Sequence, residues 1–403
     1  MDDGRRLRYV LFTTVYFVEG ALLTFFSGFN TLYLRSFDVS YTRIGIVGGI
    51  TLIPFVLKLF VGLLSDRVPL LGLGHRKPYI VIGLALQAVA SLAAAFVSPA
   101  DGFALYVVLI LLTSLGMSTY DTTSDGLSVD TTPEADRGLV QGLMVGGRAL
   151  AGVIGALVMG ALSQAGQWSA IFLILGVLAL LTIPLALAVK DPGAAVRGKA
   201  LPQRGAFRAF LDAGFVLFLI LGMLYPFALY SANGMIGAFL NEGLGIGLAR
   251  VGVYTSVFGL GTIAGGVLGG LFVKRVGQRR GIVIALLITA VATLGLAVVP
   301  SAGIAWAVVA LFGIAFGYYE TVYMAMGMDF CDPRIAAFMF AFVMAVGNIG
   351  IGAGQPVAGL LVDRAGFRTM FLVFAAVHVA SLPLVWGIFK LRKPKPAVAG
   401  APA

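Results

Sequence analysis

Six ionisable residues lie inside otherwise apolar stretches of the chain: Glu19, Lys58, Asp121, Asp125, Arg148 and Glu320. A carboxylate in apolar surroundings can lose its charge by taking a proton, whereas a guanidinium keeps its charge and requires an anionic partner. Four acids against two bases therefore point to proton exchange by the acids. Arg148 has two readings. It forms a permanent pair with Asp121 or Glu19, or it holds an anionic group of a substrate. Lys58 can snorkel its ammonium towards an interface and serve as an anchor.

Helical spacing groups these residues with others. At about 100° per residue, Tyr16, Glu19, Ser27 and Asn30 fall within an arc of about 80°, and so do Ser114, Ser118, Asp121, Asp125 and Ser128. Stripes this narrow face protein or water. Asp130 points away from Asp121 and reads as a structural residue near a helix end. Tyr225, Pro226, Tyr230 and Asn233 make another stretch polar. Glu320 and Tyr323 share a face, as do Asn348 and Gln355. The set expected to bind substrate or couple protons is Glu19, Asn30, Asp121, Asp125, Arg148, Tyr225, Tyr230, Asn233, Glu320, Tyr323, Asn348 and Gln355. His378 stands alone and reads as a packed, hydrogen-bonded histidine. The single cysteine, Cys331, excludes a disulfide framework. No nucleotide-binding loop, metal cluster or hydrolytic triad is present in the sequence, so neither a cofactor nor an enzyme is expected.

The elements that must carry these residues can be read from composition. Of 403 residues, 59% are hydrophobic and 11% charged, against about 25% charged in soluble domains. That excludes an ordinary soluble enzyme, a disordered chain and a nucleic-acid binder. Apolar runs predict an all-α membrane protein of twelve spans, near 9–34, 42–65, 78–98, 103–130, 138–162, 168–189, 211–240, 249–273, 281–300, 303–328, 335–362 and 368–389. With this map, 21 of the 28 basic residues fall on the side of the termini and five on the other. The positive-inside rule then places both termini in the cytoplasm, and the net charge of +10 reports topology.

The polar interval 190–210 reads as a cytoplasmic linker between a six-helix bundle, 1–189, and a second one with a short tail, 211–403. The halves echo each other and predict two pseudo-symmetric bundles. Asp121 and Asp130 map onto Glu320 and Asp329 with a shift of 199. Gly62–Arg67 maps onto Gly270–Arg275 with a shift of 208, and Gly166 maps onto Gly366 with a shift of 200.

Gly62, Asp66 and Arg67, followed by Arg76 and Lys77, resemble the cytoplasmic loop signature of the major facilitator superfamily. The resemblance implies that fold, a gating role for those five residues, and secondary active transport of a small organic solute by alternating access. Here eight residues separate Arg67 from Arg76. The longer string LIPFVLKLFVGLLSDRVPLLGLGHRKPYIVIG, the opening YFVEGAL and the paired aspartates of helix four resemble the folate–biopterin transporter family. Muropeptide and acetyl-coenzyme A permeases share the helix-four pattern. The implied partners are a small solute, folate- or pterin-like and anionic, protons and the lipid bilayer, with no nucleic acid, in a monomer of the inner membrane. Two other readings stay open. One is a drug or metabolite exporter, although Gly152 and Gly155 lack the neighbouring proline of that signature. The other is a non-transporting assembly factor, like the light-harvesting pigment-delivery proteins that resemble this group.

Overall fold

A computed structural model describes residues 3–133, 136–191, 210–332 and 335–391. Most of the expected linker, including Arg197, Lys199, Arg204 and Arg208, and the tail beyond residue 391 lie outside the described residues. Among the described residues, eleven helical runs are long and apolar enough to cross a membrane. They are α1 Gly4–Arg35, α2 Tyr41–Arg67, α3 Lys77–Ala94, α4 Pro99–Thr131, α5 Arg137–Gln164, α6 Trp168–Ala188, α7 Ala213–Gly243, α8 Leu248–Val276, α9 Gln278–Val298, α10 Ala302–Phe330 and a last run, Phe338–Leu391. That last run breaks at Gly366, whose φ of 82° and ψ of 168° are non-helical. It therefore supplies two spans, α11 up to residue 365 and α12 from residue 367, which restores the expected twelve.

Helix interiors depart from the expected map in α1 and α2, among other places. α2 is not continuous: it consists of Tyr41–Ile50 and Ile53–Arg67. Pro54 cannot donate a backbone bond, and its ring crowds the carbonyl four residues earlier. The Ser114 hydroxyl of α4 donates to the Thr51 carbonyl at the break, 2.5 Å away. α1 contains a π-helical turn, Phe25–Phe29. The wider turn shifts the register of the remainder of α1, so Asn30 accepts from Tyr106 on α4 while Tyr16 and Glu19 face other partners.

Packing obeys membrane logic. Large apolar side chains such as Phe60, Val89 and Leu181 are 67–68% exposed, whereas Gln87, Ser118 and Thr123 are fully buried. Small residues let backbones touch. A Cβ at Gly20 would collide with the Arg148 carbonyl, and one at Gly147 would lie 2.5 Å from the Thr13 carbonyl oxygen. α1 and α5 are thus pressed together beside Glu19 and Arg148.

The chain forms two compact units. The first holds the described residues up to 191 together with Asn233–Gly259, and the second holds 210–232 and the described residues from Leu260 onward. The internal repeat is visible in their contacts. Gly62 faces the Thr122 methyl and Gly270 faces the Thr321 methyl, the partners again separated by 199. Gly166 and Gly366 both adopt left-handed backbone, with φ of 70° and 82°. Arg76 at the start of α3 bonds Asp130 at the end of α4, and Gln278 at the start of α9 bonds Asp329 at the end of α10.

Candidate functional site

In the first unit, α1, α2, α4 and α5 bring five ionisable side chains together. Arg148 donates to Glu19 Oε2 at 2.7 Å and lies 3.9 Å from Asp121 Oδ1. Its guanidinium also covers the Tyr16 ring, 4.5 Å from the centroid. Lys58 reaches Asp121 Oδ2 at 3.4 Å. Asp125, one turn below Asp121, accepts from the Tyr16 hydroxyl and from no base among the described residues. Glu19 and Asp121 are 3% and 5% exposed, while the Arg148 side chain retains 41%. Arg148 therefore pairs with protein carboxylates and still presents a face to an opening. Its Nε has no partner among the described residues. Lys58, expected as an anchor, joins the cluster through Asp121.

The second unit holds a different arrangement. Glu320 Oε1 on α10 accepts two phenol hydroxyls from α7, Tyr225 and Tyr230, each at 2.9 Å. Tyr225 stacks on Tyr319 with centroids 4.5 Å apart, and Tyr323 stacks on Phe218 at 4.6 Å. The Tyr323 hydroxyl rests against Gly222, where any side chain would displace it, so it does not join the Glu320 pair. Asn348 and Gln355 are half-buried on α11, and Asn233 lies in the segment grouped with the first unit. His378 is fully buried as expected, yet neither ring nitrogen has a hydrogen-bond partner among the described residues.

At one end of the first unit, the loop motif closes on itself. Arg76 pairs with Asp66, donates to Ser65 Oγ at 2.8 Å and reaches Asp130 at 3.2 Å. Asp130, expected as a structural residue near a helix end, thus pairs with the loop motif. The eight-residue insertion turns back through Leu71, Gly72 and Gly74, all with positive φ, and so returns Arg76 to Asp66. Asp191 Oδ2 accepts the backbone N–H groups of Arg76 and Lys77 at 2.7 and 3.1 Å. Gly62 lies on α2 against Thr122, while Arg67 forms no ion pair among the described residues. Asp191 was not legible in the sequence, because its partners lie more than a hundred residues away. Gln87 was also missed. It is fully buried with both amide ends unpartnered among the described residues, and one glutamine in an apolar helix carries no motif.

Comparison with known proteins identifies the family. The anhydromuropeptide permease of Escherichia coli strain K12 is 24% identical over 341 residues, covering 82% of this chain and 70% of the permease. The folate-biopterin transporter of Synechocystis is 30% identical over 261 residues, 61% of this chain and 51% of that protein. That likeness runs well beyond the first third that carries the loop and helix-four motifs. The crystal structure of the nucleoside transporter NupG superposes with a TM-score of 0.79 at 17% identity, covering 97% of this chain and all of that one. The family model described as Major Facilitator Superfamily matches residues 12–342 and 218–402. The chain is a member of the Major Facilitator Superfamily, a multi-pass membrane transporter of small solutes.

Proposed function

We propose that the protein is a proton-coupled secondary transporter of a small organic anion, working by alternating access with both termini in the cytoplasm. The observation that carries this reading is the charge count of the first-unit cluster. Among the described residues, the bases that Glu19, Asp121 and Asp125 meet are Arg148 and Lys58. One surplus negative charge in an apolar interior is relieved by one proton. Asp125 is the acid that takes it, because Glu19 and Asp121 each hold a cation while Asp125 holds, among the described residues, only a phenol. Arg148 exposes a face while its anionic partners sit behind it. An incoming carboxylate or phosphate can share its fork, which accepts planar anions in two-point geometry. The relatives named for anhydromuropeptide and folate–biopterin set the first solutes to try, along with other organic acids.

Reconstitution in liposomes tests this. With an inward proton gradient, the wild type should accumulate one of these solutes. Asp125→Asn should abolish accumulation while retaining solute exchange between the two sides. Accumulation by Asp125→Asn equal to wild type would place coupling elsewhere. A solute that binds but never crosses would favour the assembly-factor reading instead.

A further inference from the structure

The repeat offsets locate what the second unit lacks. Asp121 corresponds to Glu320, and its two cations come from positions with their own counterparts. Lys58, shifted by 208, corresponds to Gly266. Arg148, shifted by 200, corresponds to Asn348. A Cβ at Gly266 would lie 3.3 Å from Thr321 Oγ1, the residue next to Glu320 in the chain. Where the first unit supplies an ammonium and a guanidinium, the second supplies a hydrogen atom and an amide. Glu320 has no Lys, Arg or His partner among the described residues, and its Oε2 has no hydrogen bond there either.

The rest of the setting is selective. Two phenol donors fix Oε1 and leave Oε2 without a hydrogen bond among the described residues. Tyr225, Tyr319 and Tyr323 close the back of the group at 0–3% exposure, while Glu320 and Tyr230 remain half-buried and so open to one side. The Tyr230 ring lies 4.8 Å from that of Phe316. A carboxylate oxygen framed by electron-rich rings is the chemistry that holds an ammonium group.

We propose that Glu320 Oε2 binds a protonated amine of the solute, the ligand bringing the cation that the first repeat builds in. The inference rests on the transport reading only in assigning the amine to the transported solute. The site itself belongs to the second unit, and its test needs neither a gradient nor flux.

The test uses the full chain in detergent and three matched probes: benzylammonium, benzyl alcohol and benzoate. Melting temperature is measured against probe concentration, since a ligand of the folded state raises it by mass action. Benzylammonium should stabilise the wild type in preference to both other probes. Glu320→Gln keeps an acceptor for the phenols but loses the charge, and its affinity for benzylammonium should fall at least about tenfold. Glu320→Asp keeps the charge and should keep the preference for ammonium over alcohol, which decides the matter even if the glutamine variant folds poorly. Equal stabilisation by benzylammonium and benzyl alcohol would overturn the proposal. So would an undiminished ammonium response in Glu320→Gln, or loss of the preference in Glu320→Asp. Failure of proton-driven accumulation would leave these outcomes untouched, so the two readings fall separately.

Discussion

Asp121 and Glu320 occupy matched positions in the two repeats but sit in opposite surroundings. Asp121 is held by Lys58 at 3.4 Å and approached by Arg148 at 3.9 Å. Glu320 is held by two phenols and meets no base among the described residues. The first acid belongs to a network whose charges nearly cancel, so removing one member exposes the others. The second is a single acceptor on an aromatic wall, so removing its neighbours loosens it without stranding a countercharge. Duplication thus preserved the helix framework while the charges diverged.

The largest effect should come from cutting the network at its centre. Arg148→Ala leaves Glu19 buried without its cation, and breaking a pair of this kind costs about 3 kcal/mol or somewhat less, given the exposure of Arg148. Unfolding in detergent should show the loss, and Glu19→Gln in the same chain should recover much of it. A neutral outcome for Arg148→Ala would erase the contrast between the repeats.

Next comes the close approach that builds the network. Gly147→Leu drives a side chain into the Thr13 backbone and should cost about 1–3 kcal/mol. Gly138→Ala on the same helix, with open space around it, should shift stability by no more than about 0.5 kcal/mol. Equal costs would mean that α1 and α5 are not pressed together at Glu19 and Arg148.

Converting the second repeat towards the first sharpens the comparison further. Asn348→Arg should place a protein cation near Glu320 and weaken benzylammonium binding about tenfold, or about 1.4 kcal/mol. Undiminished binding would show that the correspondence of positions 148 and 348 does not extend to their side chains. The smallest effect belongs to single phenols. Tyr230→Phe removes one of two donors to Oε1 and should cost about 1 kcal/mol of stability, measured by thermal unfolding. A cost near 3 kcal/mol would mean that Glu320 depends on its neighbours as strongly as Asp121 does.

The twelve spans were legible because lipid demands about 20 apolar residues per crossing and permits few charges there. The duplication was legible because its landmarks are polar residues standing out in an apolar text. The membership of the first-unit cluster was partly legible: Arg148 had to find a carboxylate, and the structure supplies Glu19 with Asp121 behind it. The break in α2 was foreshadowed by Pro54 but masked by the continuous hydropathy around it.

Sequence alone determined the membrane class, the number of crossings and the repeat, because these depend on local composition and on the cost of burying charge. Tertiary structure alone decided which acids found bases. Helical spacing places a side chain on a face of its own helix, but partners separated by 63 or 129 residues meet only through packing. It also decided that the π-helical turn at Phe25–Phe29 sends Asn30 to Tyr106, and that Asp191 closes the start of α3. Those outcomes depend on backbone register and helix contact distances, which no local pattern of residues encodes.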